Sequence, residues 1–216
     1  NRYSTSGETL LRNVQPLFGD FSFGGLGVAH NGNLTNAMTL RKQLIDIGCL
    51  FQSTSDTEVI IHLIALSKKT SVEDRLFDAL SRVEGAYSLV VMSDGMLIGV
   101  RDPLGVRPLV MGKLGDTYIL ASETCALDIV GASYVRDIEA GEIVIITSDG
   151  VRSLKSFAPV QKRFCIFEYV YFSRPDSVSE GRNVYETRQR IGAWLARENK
   201  VAADVVVPVP DSALSR

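Results

Sequence analysis

Apolar residues in the first half of the chain recur at the three- and four-residue spacing of an amphipathic helix. Gly48 follows the first of these runs, as glycine commonly follows a helix. Ser55 and Glu58 precede the second run and have the spacing of a capping box. The pattern predicts helices over residues 34–47, 59–66 and 71–83.

From Tyr87 onward the apolar period shortens to that of a strand. Apolar runs flank short polar turns that contain glycine and aspartate, a combination typical of hairpins. Hairpins are predicted for residues 87–92 with 96–101, 108–114 with 117–122, and 142–147 with 151–157. Because the helices are grouped first and the antiparallel strands follow, the predicted fold class is α+β.

The end of the chain has a different pattern. Residues 183–199 show helical periodicity, and residues 203–209 form a nearly continuous apolar run, as in a parallel strand buried on both faces. A helix that leads into such a strand is typical of an α/β domain. We therefore predict a first domain over residues 1–158, followed at 159–216 by an interdomain segment and the start of a second domain.

Composition and charge exclude several classes of protein. A chain of 216 residues that is 45% hydrophobic can bury one good core and part of a second. Its net charge of −2 gives no excess of positive charge that would attract nucleic acid or an acidic membrane. No apolar stretch is long enough to span a bilayer. Its three widely spaced cysteines argue against a disulfide framework. We expect a cytoplasmic protein that binds neither nucleic acid nor a membrane.

The stretch AHNGNLTN at residues 29–36 has two interpretations. Asn31-Gly32 is a favoured two-residue hairpin turn, but here a glycine-rich strand precedes it and a helix follows. Alternatively, the side-chain amide of Asn31 and the backbone N–H of Gly32 supply the minimum set of donors for a tetrahedral oxyanion. His30 alone is interpreted as a structural imidazole rather than a catalytic base.

Two charged residues are candidates for binding a ligand. Arg2, in RYSTSG, places a cation beside hydroxyl groups and suits a carboxylate. Asp56 stands at a predicted helix start, where it is either an ordinary cap or a counter-ion for an ammonium group. Together, Arg2 and Asp56 would bind the two charges of a free α-amino acid, although neither is specific alone.

These segments, taken in order, resemble a known family. RYSTSG, AHNGNL, SDTEV, EGAYSL, RDPLGVRPL and ASETCAL resemble the glutaminase domain of class II glutamine amidotransferases, which are N-terminal nucleophile hydrolases. FEYVYFSRPDS and ADVVVPVPDS narrow the resemblance to the amidophosphoribosyltransferase family of purine biosynthesis. The resemblance implies an N-terminal nucleophile hydrolase type αββα sandwich of antiparallel sheets, followed by the first helix and strand of an α/β phosphoribosyltransferase domain.

The resemblance also implies roles for the candidate residues. Arg2 and Thr5 match the pocket for the α-carboxylate of glutamine, Asp56 matches the carboxylate that takes its α-amino group, and Asn31 with Gly32 matches the oxyanion hole. In the family, an N-terminal cysteine attacks the side-chain amide, with its own α-amino group as base. The ammonia then displaces pyrophosphate from phosphoribosylpyrophosphate at a second site, giving 5-phosphoribosylamine.

Further implications concern coupling, metals and partners. Tyr169, Tyr171 and Arg174 lie in the stretch that joins the two domains, and we predict that they help to couple the sites. Some family members bind an iron–sulfur cluster, for which Cys165 matches one ligand position, and Mg²⁺ is expected with phosphoribosylpyrophosphate. No metal is predicted for the 216 residues themselves. We expect a homo-oligomer whose small-molecule partners are glutamine and phosphoribosylpyrophosphate.

Two family features are not matched by these residues. Asn1 cannot be the nucleophile, and Cys49, Cys125 and Cys165 are internal thiols that we interpret as structural. The acidic stretch that binds the ribose is also not found before Arg216. We expect the complete protein to supply both, and these residues alone to be inactive. Two alternatives stay open: another class II amidotransferase, such as a glucosamine-phosphate synthase or an asparagine synthetase, and a non-catalytic regulatory or interaction module.

Overall fold

The computed structural model describes residues 10–155, 157–158 and 160–209. In chain order its strands are β1 (Leu17–Phe21), β2 (Gly24–Leu34), β3 (Gly85–Ser93), β4 (Met96–Arg101), β5 (Val110–Leu114), β6 (Thr117–Ala121), β7 (Ser133–Asp137), β8 (Glu142–Thr147), β9 (Gly150–Lys155), β10 (Val178–Ser179) and β11 (Arg182–Asn183). Its α-helices are α1 (Ala37–Asp46), α2 (Thr57–Leu66), α3 (Val72–Leu80), α4 (Thr124–Val130) and α5 (Val184–Glu198). A 3₁₀ helix covers Leu11–Asn13, and a π-helix covers Glu168–Phe172. Helices combined with antiparallel sheets confirm the α+β class.

Contacts along the chain separate two compact units. The first contains the described residues up to Arg107 together with Ile138–Arg163. The second contains Pro108–Asp137 and the described residues from Phe164 onward, with a three-stranded sheet of order β6-β5-β7 and the small β10-β11 pair. The division into domains at residue 158 stays a prediction.

The first unit is built on a six-stranded antiparallel sheet of order β1-β2-β3-β4-β8-β9. Alternate residues of β2, including Leu26, Val28 and Leu34, are buried in a core that also contains the apolar side chains of α1, α2 and α3. Each leucine or valine buried in this way contributes about 1.5–3 kcal/mol relative to an exposed position. Removal of this apolar face from water therefore holds the helices on the sheet.

All three predicted hairpins form. Each has a two-residue turn, and the last paired residues on either side are Ser93 with Met96, Leu114 with Thr117, and Thr147 with Gly150. The neighbouring β2–β3 pairing is not a hairpin, because it joins strands that are far apart in sequence. In that pair Gly85 lies opposite Leu34 with φ of 134°, and a Cβ at Gly85 would collide with the carbonyl oxygen of Asn33.

The three predicted N-terminal helices form, α1 and α3 with shorter bounds than predicted and α2 beginning two residues earlier, at Thr57. Helix α1 begins only at Ala37, because Leu34 still belongs to β2. The capping box predicted before α2 is wrong. The carboxylate of Glu58 accepts hydrogen bonds from the backbone N–H groups of Gln52 (2.7 Å) and Ser53 (2.8 Å), and so stabilises the loop that leads to the helix.

Ser71 caps helix α3, and its Oγ accepts a hydrogen bond from the backbone N–H of Asp74 at 3.1 Å. We expect Ser71→Ala to lower the free energy of unfolding by about 1 kcal/mol, because that N–H loses its partner. Ser148→Ala is a matched control, since Ser148 is an exposed hydroxyl in the β8–β9 turn. Urea denaturation measures both variants, and equal stabilities would contradict the capping role.

The predicted C-terminal helix forms, but the strand predicted after it does not. Helix α5 begins after Asn183, whose Oδ1 accepts from the backbone N–H of Glu186 at 3.0 Å. Residues 203–209 have no regular structure and are exposed, Val206 at 88%. A strand needs a neighbour for its hydrogen bonds, and the described residues offer this run none. None of the described helices is long and apolar enough to cross a membrane.

Candidate functional site

Asn31 and Gly32 lie inside strand β2, opposite Ser88 and Tyr87 of β3. The hairpin-turn interpretation of this dipeptide is therefore wrong. Gly32 has φ of 154°, and a Cβ at this position would collide with the carbonyl oxygen of Ala86. Because only glycine fits, no side chain covers the backbone beside the Asn31 amide.

The side-chain amide of Asn31 is held by Arg107, whose Nη2 donates to Asn31 Oδ1 at 2.9 Å. A guanidinium group has donors and no acceptor, so the atom it contacts is the amide oxygen. The Nδ2 group of Asn31 lies on the other arm of the amide, and the residue is exposed. The amide nitrogen can therefore donate to a ligand.

Arg107 ends a loop that is organised around two buried charged side chains. The carboxylate of Asp102 accepts the backbone N–H groups of Leu104 (2.9 Å), Val106 (3.0 Å) and Arg107 (3.3 Å). Arg101 donates from Nε to the carbonyl oxygen of Arg107 at 2.8 Å. Burial raises the pKa of the Asp102 carboxyl, while its backbone hydrogen bonds act in the opposite direction.

Tyr87 connects this loop to the strand opposite Gly32. Its backbone N–H donates to Asp102 Oδ2 at 3.3 Å, and its carbonyl oxygen accepts from the backbone N–H of Asp102 at 2.8 Å. Burial, assisted by the charge of Asp102, raises the pKa of the Tyr87 phenol. The phenol is therefore neutral, and the loop is fixed to β3 through the backbone.

Asp56 precedes helix α2, and its side chain is fully buried. Oδ2 accepts from the backbone N–H of Leu34 at 3.0 Å, and Oδ1 lies 3.6 Å from Nδ1 of His30. The side chain makes no capping bond to its own helix, so the interpretation as an ordinary helix cap is wrong. The carboxylate is instead fixed against β2, the strand that carries Asn31 and Gly32.

His30 joins β2 to α2. Its imidazole is buried with Nδ1 3.2 Å from Oγ1 of Thr57, and its backbone N–H donates to Oε1 of Gln15 at 2.7 Å. Gln15 closes the network by donating from Nε2 to the same Thr57 hydroxyl at 3.0 Å. These contacts fit the structural role predicted for His30.

A cavity of about 200 Å³ opens beside Asp56 at the end of β2. Its lining consists of Asn33, Leu34, Ala37, Met38, Arg41, Thr54, Asp56 and Val59. Side chains alternate along a strand, so Leu34 shares the face of His30, whereas Asn33, which also lines the cavity, shares the face of Asn31. The lining thus includes one acidic and one basic residue, Asp56 and Arg41, and the Arg41 guanidinium also lies 4.0 Å from the centre of the Phe51 ring.

The remaining candidates are Arg2, Thr5 and the three cysteines. Arg2 and Thr5 lie outside the described residues, so their contacts with a carboxylate stay predictions. Cys49, Cys125 and Cys165 are free thiols, and burial raises the pKa of Cys125. Within the described ranges, no group of three or more His, Cys, Asp or Glu side chains is arranged to hold a metal ion.

The three residues predicted to couple the sites belong to the second unit. Tyr169 is buried and donates from its hydroxyl to the carbonyl oxygen of Ser179 at 2.7 Å. Tyr171 is exposed, and Arg174 forms two hydrogen bonds to Asp176, at 3.0 and 2.8 Å. The coupling role of these three residues stays a prediction.

The sequence alone did not indicate Arg107 or Arg41 as site residues. Only the fold brings Arg107 to Asn31 and Arg41 to the cavity.

Comparison with known proteins places these features in a family context. Residues 2–128 match the glutamine amidotransferase domain family. The chain is 56% identical over 215 residues to the amidophosphoribosyltransferase of Rhizobium etli, covering 97% of this chain and 43% of that protein. It is 48% identical over 212 residues to amidophosphoribosyltransferase 1 of Arabidopsis thaliana chloroplasts, covering 98% and 38%. The chain thus spans about two fifths of the length of these relatives.

A solved structure shares the fold. The glutamine phosphoribosylpyrophosphate amidotransferase of Bacillus subtilis, complexed with ADP and GMP, superposes with a TM-score of 0.93 at 46% identity. The match covers 99% of this chain and 46% of that one. It confirms the predicted fold class.

Proposed function

Because the chain belongs to the glutamine amidotransferase domain family, we propose that it is the glutamine-hydrolysing part of an amidophosphoribosyltransferase. The complete protein would transfer ammonia from glutamine to phosphoribosylpyrophosphate, giving 5-phosphoribosylamine and pyrophosphate in the first committed step of purine biosynthesis. The name shared by relatives at 56% and 48% identity supports this choice over another class II amidotransferase.

The observation that carries the proposal is the orientation of the Asn31 amide beside Gly32. With Oδ1 bonded to Arg107, Nδ2 is the end of the amide that can meet a ligand. The Nδ2 group and the backbone N–H of Gly32 would stabilise the oxyanion that forms when a thiolate attacks the glutamine side-chain amide. Donors that are fixed before the reaction lower the barrier because they need no reorganisation.

The charges of the substrate have candidate partners as well. Asp56 would accept the α-ammonium group of glutamine, and Arg2 with Thr5 would bind its α-carboxylate. Because the fold already holds this carboxylate against β2, its side chain loses little conformational entropy when the substrate binds. This arrangement selects a free amino acid over a simple amide.

The attacking thiol is proposed to come from an N-terminal cysteine of the complete protein, as in the family. Its sulfur bonds to the amide carbon, ammonia leaves, and water then cleaves the thioester to release glutamate. Burial raises the pKa of Cys125, which disfavours the thiolate needed for such an attack. Cys125 is therefore assigned no part in the chemistry.

The metals and the assembly belong to the complete protein. An iron–sulfur cluster is held by cysteine thiolates, and no suitable group of ligands surrounds Cys165 among the described residues. The described residues alone do not supply the ligand set of such a cluster, and no step is assigned to it. Mg²⁺ is proposed only as the companion of phosphoribosylpyrophosphate. Assembly as a homo-oligomer in the cytoplasm is part of the same proposal.

The protein expressed from its complete gene provides the test. We expect pyrophosphate release from phosphoribosylpyrophosphate that requires either glutamine or ammonia, and glutamate formation from glutamine. Glutamine hydrolysis without transfer to phosphoribosylpyrophosphate would favour another class II amidotransferase. Absence of both activities would favour the non-catalytic module.

A further inference from the structure

An asparagine amide has two ends of nearly equal size, and only the nitrogen end can stabilise an anion. We propose that Arg107 is a positioning residue that keeps the nitrogen of the Asn31 amide toward the oxyanion. The inference rests on the proposed glutaminase function, since it assigns Arg107 a role in the same reaction. The contact that supports it is the 2.9 Å hydrogen bond from Arg107 Nη2 to Asn31 Oδ1.

The chemistry of the guanidinium group makes this contact directional. Arg107 can donate but cannot accept, so a reversed amide would place Nδ2 against a second set of donors. Reversal would also turn Oδ1 toward the developing negative charge, where two acceptors repel. The hydrogen bond therefore favours the productive orientation over the unproductive one before substrate arrives.

Hydrogen bonds hold the backbone of Arg107 at both its N–H and its carbonyl oxygen. Its N–H donates to the buried carboxylate of Asp102, and its carbonyl oxygen accepts from Arg101 Nε at 2.8 Å and from Ser88 Oγ at 3.2 Å. Ser88 lies directly opposite Asn31 in the β2–β3 register. Arg107 therefore joins the loop to strand β3 through Ser88 and to strand β2 through the Asn31 amide.

A second effect acts in the same direction. Donation from a charged group to Oδ1 polarises the amide and makes its N–H groups stronger donors. Arg107 is half-buried, so this influence is screened less than it would be in open solvent. Orientation and polarisation are both transmitted through Asn31, and both disappear if the amide is removed.

A double-mutant cycle in the protein expressed from its complete gene tests the inference. We expect Arg107→Met to lower kcat for glutamine hydrolysis about tenfold, less than the 100- to 1000-fold loss typical of a deleted oxyanion donor, with KM changed by less than about twofold. Arg107→Lys keeps a donor and should recover most of kcat. Arg152→Met is the control, because Arg152 is an exposed arginine of the same unit that pairs with Glu73.

In the Asn31→Ala background, Arg107→Met should add less than about a twofold further loss, because the residue through which it acts is gone. Multiplication of the two losses, or an unchanged kcat in Arg107→Met, would overturn the inference. If Arg107→Met does not fold, Arg107→Gln takes its place in the cycle and the same coupling decides. Failure of the unmodified protein to hydrolyse glutamine would instead overturn the proposed function.

Discussion

Asn31→Ala is expected to lower kcat for glutamine hydrolysis about 100- to 1000-fold, the scale found when one donor of an oxyanion hole is removed. The affected group is the amide that Arg107 holds by its oxygen, which leaves Nδ2 to meet the oxyanion. The interaction strengthens only as charge develops, so KM for glutamine should change little. Steady-state release of glutamate by the complete protein measures both constants.

Two comparisons separate this role from damage to the fold. Ammonia-dependent synthesis of phosphoribosylamine bypasses the thioester and should survive in Asn31→Ala. Asn199→Ala removes an exposed amide at the end of α5 and should leave glutamine hydrolysis unchanged. Parallel loss of the glutamine- and ammonia-dependent activities would show that Asn31 serves the fold.

Asp56→Asn should raise KM for glutamine about tenfold to a hundredfold, equivalent to about 1.5–3 kcal/mol of lost binding to the substrate ammonium. Asparagine keeps the shape of the side chain, and its oxygen can still accept from the backbone N–H of Leu34. The charge is therefore the main property that changes. Initial rates over a range of glutamine concentrations give KM, and ammonia-dependent synthesis should be unaffected.

The matched control is Asp20→Asn, which neutralises an exposed carboxylate on β1 of the same sheet. It should leave KM for glutamine unchanged. Thermal unfolding of both variants records any loss of stability. A normal KM in Asp56→Asn, accompanied by a lower unfolding temperature, would assign Asp56 to the packing of β2 against α2 alone.

Local sequence predicted the hairpins that follow Tyr87, whose partners are close by, but missed the β1–β2 hairpin, in which Phe21 pairs with Gly24. The β3–β4 and β8–β9 hairpins pair residues across two-residue turns, so turn chemistry and apolar alternation both lie in one short window. The Asn31-Gly32 part of β2 was harder, because it lies beyond the residues that pair with β1, and its partner β3 begins more than fifty residues later in the chain. The same Asn31-Gly32 pair suits a turn or a strand, and long-range pairing decides between them.

The site shows the same division. Asp56 is recognisable from its place before an apolar helix, although its actual partner, the N–H of Leu34, is 22 residues away. Arg107 lies 76 residues from Asn31, and nothing in RDPLGVRPL indicates which group its guanidinium meets. The exposed run at 203–209 illustrates the reverse case, since its apolar pattern predicts a strand that has no partner among the described residues.

Gly32 and Gly85 also set a condition for transplanting this site into another scaffold. Both stand on the β2–β3 pair, and a Cβ on either would strike a carbonyl oxygen of the opposite strand. A designer who grafts only the Asn-Gly dipeptide would copy the donors without the close backbone approach that shapes them. The portable unit is therefore the strand pair, with a glycine on each side.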